Sequence, residues 1–219
     1  MTDKTSSKQH RNRTPLVWLV AALAAVQLGG CALAVGGAMV GGTMVALDRR
    51  TTGTQVEDKE IESKASSRIG DLVGDRAHVN ITSYNRMVLL TGEAGTEADR
   101  TAIEQAVQRV ENVRSTVNEL AVMLPSSMST RSNDSYLTTK VKATYIDAKD
   151  LQANAFKVIT ERGNVYLMGR VTEREATRAT DLARTVSGVQ KVVRVFEVIT
   201  EAELSEAQTK TEPATAPKK

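Results

Sequence analysis

The sequence predicts an α+β fold built twice, each copy running helix–strand–strand–helix–strand, with a three-stranded sheet covered on one face by two helices. Three observations carry this. Val88, Leu90 and Gly92 recur 77 positions later as Val165, Leu167 and Gly169, and Thr96, Glu97, Val110, Val113 and Val117 recur 76 positions later as Thr172, Glu173, Val186, Val189 and Val193. A one-residue insertion between Gly92 and Thr96 accounts for the change of offset. Hydrophobic spacing switches between helical and strand periods in the same order in both copies. Finally, 219 residues of which 41% are hydrophobic suffice for two small cores of about 65 residues each.

The elements follow in order. Ile61, Ala65, Ile69 and Leu72–Val73 lie at helical spacing in copy one, as do Leu137, Val141 and Tyr145 in copy two. Asn133, Asp134 and Ser135 are candidate N-caps for the second of these helices. Val79 and Ile81 alternate with polar neighbours before a turn at Tyr84-Asn85-Arg86, and Met87–Thr91 returns. In copy two, Phe156–Thr160 and Asn164–Met168 flank Glu161-Arg162-Gly163. Thr96-Glu97-Ala98-Asp99 and Thr172-Glu173-Arg174-Glu175 are capping-box starts for the next helices. Their buried stripes are Ala102, Ile103, Ala106, Val107 and Val110, and Ala179, Leu182, Ala183 and Val186. Asn112 and Gly188 punctuate the ends, and Val113–Met123 and Val189–Ile199 supply the last strands.

The N-terminus has another character. Lys4, Lys8, Arg11 and Arg13 precede an apolar run, Leu16–Val26, of signal-peptide length and short for a membrane span. The run ends in Leu28-Gly29-Gly30-Cys31, which resembles a bacterial lipobox. An uncleaved anchor helix continuing through Ala32–Leu47 is the alternative, opposed by Gly36, Gly37, Gly41 and Gly42. In the lipobox reading Cys31 is diacylated, and a further chain on its amine exceeds the two-signal threshold for stable anchoring. Ala32 is not the Asp that retains such lipoproteins in the inner membrane, so the resemblance implies an outer-membrane anchor facing the periplasm. Cleavage before Cys31 removes four basic residues and one acidic residue, leaving 25 of each. The pI near 9.0 therefore belongs to the leader, and a basic field for nucleic acid disappears. The lone cysteine excludes an internal disulfide. His10 and His78 are too few for a histidine metal centre, no cofactor motif is present, and no nucleophile motif suggests an enzyme.

The hydrophobic-x-Leu-x-Gly strand end, the capped helix and the Gly-Val valine-rich strand together resemble the BON domain. Val165-Tyr166-Leu167-Met168-Gly169-Arg170-Val171 and Ser187-Gly188-Val189-Gln190-Lys191-Val192 are close matches, while copy one carries Asn112 where the family favours Gly. Gly53-Thr54-Gln55-Val56, the stretch Asn133–Val141 and Val171–Ala176 extend the resemblance to dual-BON outer-membrane lipoproteins. The expected organisation is a signal peptide over 1–30, an acylated tether over 31–56 and a first BON domain over 57–124. A linker over 125–133, a second domain over 134–200 and a disordered tail over 201–219 complete it.

Copy two differs from copy one on its first helix. Tyr136, Lys140 and Thr144 share a stripe displaced from the core stripe, with Lys142 nearby. An aromatic beside lysines suits an anionic membrane surface; equally, Tyr136 could pack on the linker above a solvated lysine face. The family resemblance implies anionic-phospholipid binding by this helix, carried onto Tyr136, Leu137, Lys140, Val141 and Lys142. It also implies a role in envelope integrity and enrichment at division sites. The alternative partner is an envelope protein, such as the barrel-assembly machinery, held by the first domain, whose helix carries Glu60, Glu62 and Asp71. Arg162, Arg170, Arg174, Arg178 and Arg184 are interleaved with acids and read as mixed surface. His78 reads as a strand-start residue, and Gly92 and Gly169 as turn glycines.

Overall fold

A computed structural model describes residues 48–211. The expected signal peptide, Cys31 and the stretch through Leu47 lie outside the described residues, as do residues 212–219. The first helix, α1 (Thr52–Val73), begins where the Thr51 hydroxyl accepts from the Thr54 amide. Ile61, Ala65, Ile69 and Val73 recur every fourth residue and form its buried stripe. After one 3-10 turn, β1 (Ala77–Tyr84) and β2 (Met87–Ala94) pair as an antiparallel hairpin closed by Tyr84 opposite Met87. The two turn residues, Asn85 and Arg86, have φ of 51° and 65°, the left-handed pair that matches strand twist in a two-residue hairpin.

The next helix, α2 (Glu97–Gln108), is capped by Thr96. β3 (Ser115–Asn118) and β4 (Ala121–Val122) both run parallel to β2, as one strand interrupted at Glu119 and Leu120. Asn112 takes φ 66° after α2 and Gly188 takes φ 101° at the matching place in copy two. Asn is the side chain that tolerates this conformation best after Gly.

Copy two repeats the order with α3 (Met128–Asp147), β5 (Lys157–Glu161), β6 (Asn164–Val171), α4 (Glu173–Thr185) and β7 (Lys191–Val198). Its sheet order is β5-β6-β7, with β6 central. Of the two repeat-equivalent helices α2 and α4, only α4 has a complete capping box, in which the Thr172 hydroxyl accepts from the Glu175 amide and Glu175 accepts from the Thr172 amide. At α2 the shorter Asp99 instead accepts from the Thr96 hydroxyl.

Three sequence expectations change. First, α3 begins at Met128, capped by Ser127, rather than at Asn133-Asp134-Ser135. Thr51 and Ser127 are themselves repeat-equivalent, so both long helices start at the same place and the linker shrinks accordingly. Second, residues 201–211 of the expected disordered tail form a helix, α5 (Glu201–Thr211). Thr200 and Glu203 exchange hydrogen bonds at its start, and Leu204 is buried. Third, Gly92 and Gly169 are not turn residues. They lie inside β2 and β6, where a Cβ would collide with the carbonyl oxygens of His78 and Ala155.

Each domain has its own core between sheet and helices. A third cluster joins Tyr84 and Leu89 of one sheet to Tyr166, Met168 and Val195 of the other, with Met87, Val117, Ile159 and Val193 packed around them. The sheets thus pack face to face, and the helices lie outside. The signal was present in the runs Met87-Val88-Leu89-Leu90 and Val165-Tyr166-Leu167-Met168, which are continuously apolar, as strands buried on both faces are. Polar contacts fix the relative direction. Lys157 Nζ meets Glu62 and the Ser83 carbonyl, Asn85 donates to Glu197, and Asn80 donates to Glu161. The hairpin turn of the first domain therefore lies over the open end of the second, and the hairpins run oppositely.

Candidate functional site

The site is built on α3, and what sets its rotation is an aspartate. Asp134 is buried and accepts from the amides of Arg162 and Gly163, each at 2.8 Å, across the β5–β6 turn. Its repeat equivalent, Asp58 on α1, accepts at 2.8 Å from the amides of Asn85 and Arg86. Both long helices are thus pinned to their own hairpins. Below Asp134, Leu137, Val141 and Tyr145 point into the core, and the Tyr145 hydroxyl donates to the Ala179 carbonyl. Burial drives that hydroxyl's pKa upward.

This anchoring separates the residues that the resemblance grouped. Leu137 and Val141 are core residues, 2% and 0% exposed, so neither reaches a ligand on the surface. Tyr136 is 62% exposed. Lys140 lies 5.6 Å from the centre of the Tyr136 ring and donates to the Ser187 carbonyl beyond the end of α4. It is thereby held upright beside the aromatic. Lys142 is exposed and forms no ion pair with another described residue.

Two residues escaped the sequence reading. Met128 is 77% and Ile146 72% exposed. They are 18 residues apart, five full turns, so they share one face about 27 Å long, with Tyr136 between them and about 80° around the axis. Spacing of exposed apolar residues at multiples of 18 was the available signal. Ile146 and Lys142 also border an open depression of about 210 Å³ with Ala153, Asn154 and Phe156. The face belongs to copy two alone. Thr52, Glu60 and Gly70 stand on α1 where α3 has Met128, Tyr136 and Ile146, and Glu60 is engaged by Lys64 at 2.7 Å.

Among the described residues no group of three or more His, Cys, Asp or Glu could hold a metal ion. Burial and the Arg131 charge hold the pKa of His78 below its ordinary value, against Glu93. No described helix is long and apolar enough to cross a membrane.

Two repeated α+β units, packed sheet to sheet with one divergent outer helix, define a tandem-domain α+β protein. The BON domain model matches residues 57–123 and 133–200, and the chain belongs to the BON-domain family. It is similar to the outer membrane lipoprotein DolP of Haemophilus influenzae, 38% identical over 179 residues that cover 80% of this chain and 92% of that protein. It is also similar to a 21 kDa hemolysin of Actinobacillus pleuropneumoniae, 31% identical over 70% of this chain and 80% of that one. A solved structure of CdsD, a structural protein of the type III secretion system of Chlamydia trachomatis, aligns at 10% identity and a TM-score of 0.28, covering 64% of this chain and 95% of that one.

Proposed function

We propose that this is a non-enzymatic lipoprotein, acylated at Cys31 and anchored in the outer membrane facing the periplasm. It binds anionic phospholipid through the outer face of α3 and supports outer-membrane integrity, at division sites in particular. The observation that carries the reading is the exposed row of Met128, Tyr136 and Ile146, flanked by Lys140 and Lys142, on the one helix whose repeat equivalent lacks all three apolar residues. Each large apolar side chain contributes about 1.5–3 kcal/mol when fully buried, and each lysine about 1 kcal/mol near an anionic surface, screened by salt. Partial insertion of the row makes a weak, reversible contact, which the acyl anchor converts into a stable one by keeping α3 near the bilayer. The depression beside Lys142 and Ile146 suits a phosphate at its polar rim and an acyl segment against Phe156.

Vesicle co-sedimentation of residues 32–219, which lack the acylated cysteine, tests this. Binding to vesicles containing phosphatidylglycerol is expected, with little binding to phosphatidylcholine alone. Tyr136→Glu and Ile146→Glu should each weaken it at least tenfold, while Val56→Glu on the exposed face of α1 should not. Equal binding to both vesicles, or no loss with either α3 variant, overturns the reading.

A further inference from the structure

Two adjacent arginines at the start of the described chain face different domains. Arg49 turns to the second: Nη2 donates to Glu175 Oε1 at 2.7 Å, and Nη1 donates to Glu175 Oε2 at 2.8 Å. Its Nη1 also donates to the Arg170 carbonyl, and its Nη2 to Gln152 Oε1. The Arg49 and Glu175 side chains are 5% and 6% exposed. Arg50 turns to the first domain. It donates to the buried Asp58 at 2.8 Å and to Asp48 at 2.7 Å, and its guanidinium stacks 4.1 Å from the centre of the Tyr84 ring. Tyr84 itself belongs to the cluster between the sheets.

A bidentate, buried arginine–carboxylate pair is among the strongest polar contacts a protein makes, and breaking one partner strands the other. Ordinary surface ion pairs do neither. Here such a pair lies between residues 126 positions apart. Covalently, the segment leads into the first domain; by this contact it is also fastened to the second.

We infer that Asp48-Arg49-Arg50 is a clasp that locks the two domains together and ties the chain just beyond the anchor directly to the domain bearing α3. The consequence is a shortcut. Along the chain, Met128 lies 97 residues after Cys31, whereas Arg49 lies 18 residues after it. With the clasp shut, the second domain hangs from at most about 60 Å of chain, so α3 samples a smaller volume at a higher effective concentration near the bilayer. With it open, α3 is held only through the first domain and the sheet contact. Arg49 and Glu175 are thus positioning residues. This second half rests on the anchor and the lipid face proposed above.

The test uses the full acylated chain with spin labels at Ser67→Cys on α1 and Thr177→Cys on α4, and a polarity-sensitive fluorophore at Ser132→Cys in a parallel preparation. Arg49→Gln and Glu175→Gln each remove one charge, and glutamine keeps the capping role at position 175. One narrow inter-domain distance population is expected in the parent. It should broaden in either variant, with unchanged helical circular dichroism, and broaden no further in the double variant. On phosphatidylglycerol membranes the fluorophore's blue shift should fall in the variants. A parent-like distance distribution in both single variants overturns the clasp. A broadened distribution with an undiminished blue shift overturns the shortcut. Absence of any blue shift in the parent counts against the lipid face, and the distances still decide the clasp.

Discussion

Replacing Asp58 with alanine removes a carboxylate that four donors share: the Ser83 hydroxyl at 2.6 Å, the Asn85 and Arg86 amides at 2.8 Å each, and Arg50 Nη1 at 2.8 Å. Hydrogen bonds to a charged group contribute about 1.5–3 kcal/mol each, but those of one network do not add. Two of the orphaned donors are amides of a turn whose residues both hold left-handed backbone without a glycine, a conformation that needs external support. Arg50 keeps Asp48, which moderates the loss. The expected destabilisation is about 4 kcal/mol, within the range for breaking one side of a buried charge network. Asp134→Ala loses only two amide bonds, across a turn in which Gly163 accepts positive φ readily. About half the effect is expected there.

Urea unfolding followed by circular dichroism measures both variants. The pH dependence adds a sign. Burial alone would raise the Asp58 pKa, but Ser83, Arg86, Arg50 and Asn85 bring it below its ordinary 3.8. Its stabilisation is therefore complete above the unfolded-state value and is lost as pH falls through it toward the folded value. Parent and Asp58→Ala should differ fully at pH 7 and converge only below about pH 4. A loss under about 1 kcal/mol at pH 7, or equal losses at the two aspartates, would refute the reasoning.

Two further outcomes are expected. Glu161 is buried between the domains, and that burial, opposed by the Asn80 hydrogen bond and reinforced by Glu93 and Asp134, raises its pKa. The strain of holding it ionised is present above its folded pKa and is relieved as pH falls through it, so Glu161→Gln should stabilise by about 1 kcal/mol at pH 7.5 and by progressively less as pH approaches the ordinary glutamate value of 4.5. Thermal melts across that range check this, and a stabilisation independent of pH contradicts it. Gly169→Ala should destabilise the second domain by about 3 kcal/mol, because the new methyl meets the Ala155 backbone rather than a movable side chain. Unfolding midpoints read it, and a neutral result would show that the β6 backbone has room to move.

Local chemistry was legible wherever a short-range rule decides. Thr96 and Thr172 cap the helices assigned to them, Asn85-Arg86 and Arg162-Gly163 make the turns, and Ile61, Ala65, Leu137 and Val141 are buried at helical spacing. Misreadings arose where a local signal had a distant cause. Asp134 looks like an N-cap in sequence because aspartate accepts backbone amides; it does so, but from a turn 28 residues away. Gly169 looks like a turn glycine, yet the space it leaves is filled by the Ala155 backbone. Leu137 and Val141 follow the family's binding motif in one dimension, and the rotation of α3 about Asp134 sends them inward while Met128 and Ile146 face out.

The sequence by itself determined the duplicated α+β unit, the order of its elements and the divergence of α3 from α1, since periodicity, capping and repeat offsets are properties of neighbours along the chain. Only the tertiary structure decided that the two sheets close on each other, that Arg49 and Arg50 fasten opposite domains, and which side of α3 is free. Those outcomes depend on burying apolar faces and pairing charges between residues up to 126 positions apart, and no spacing rule reaches that far.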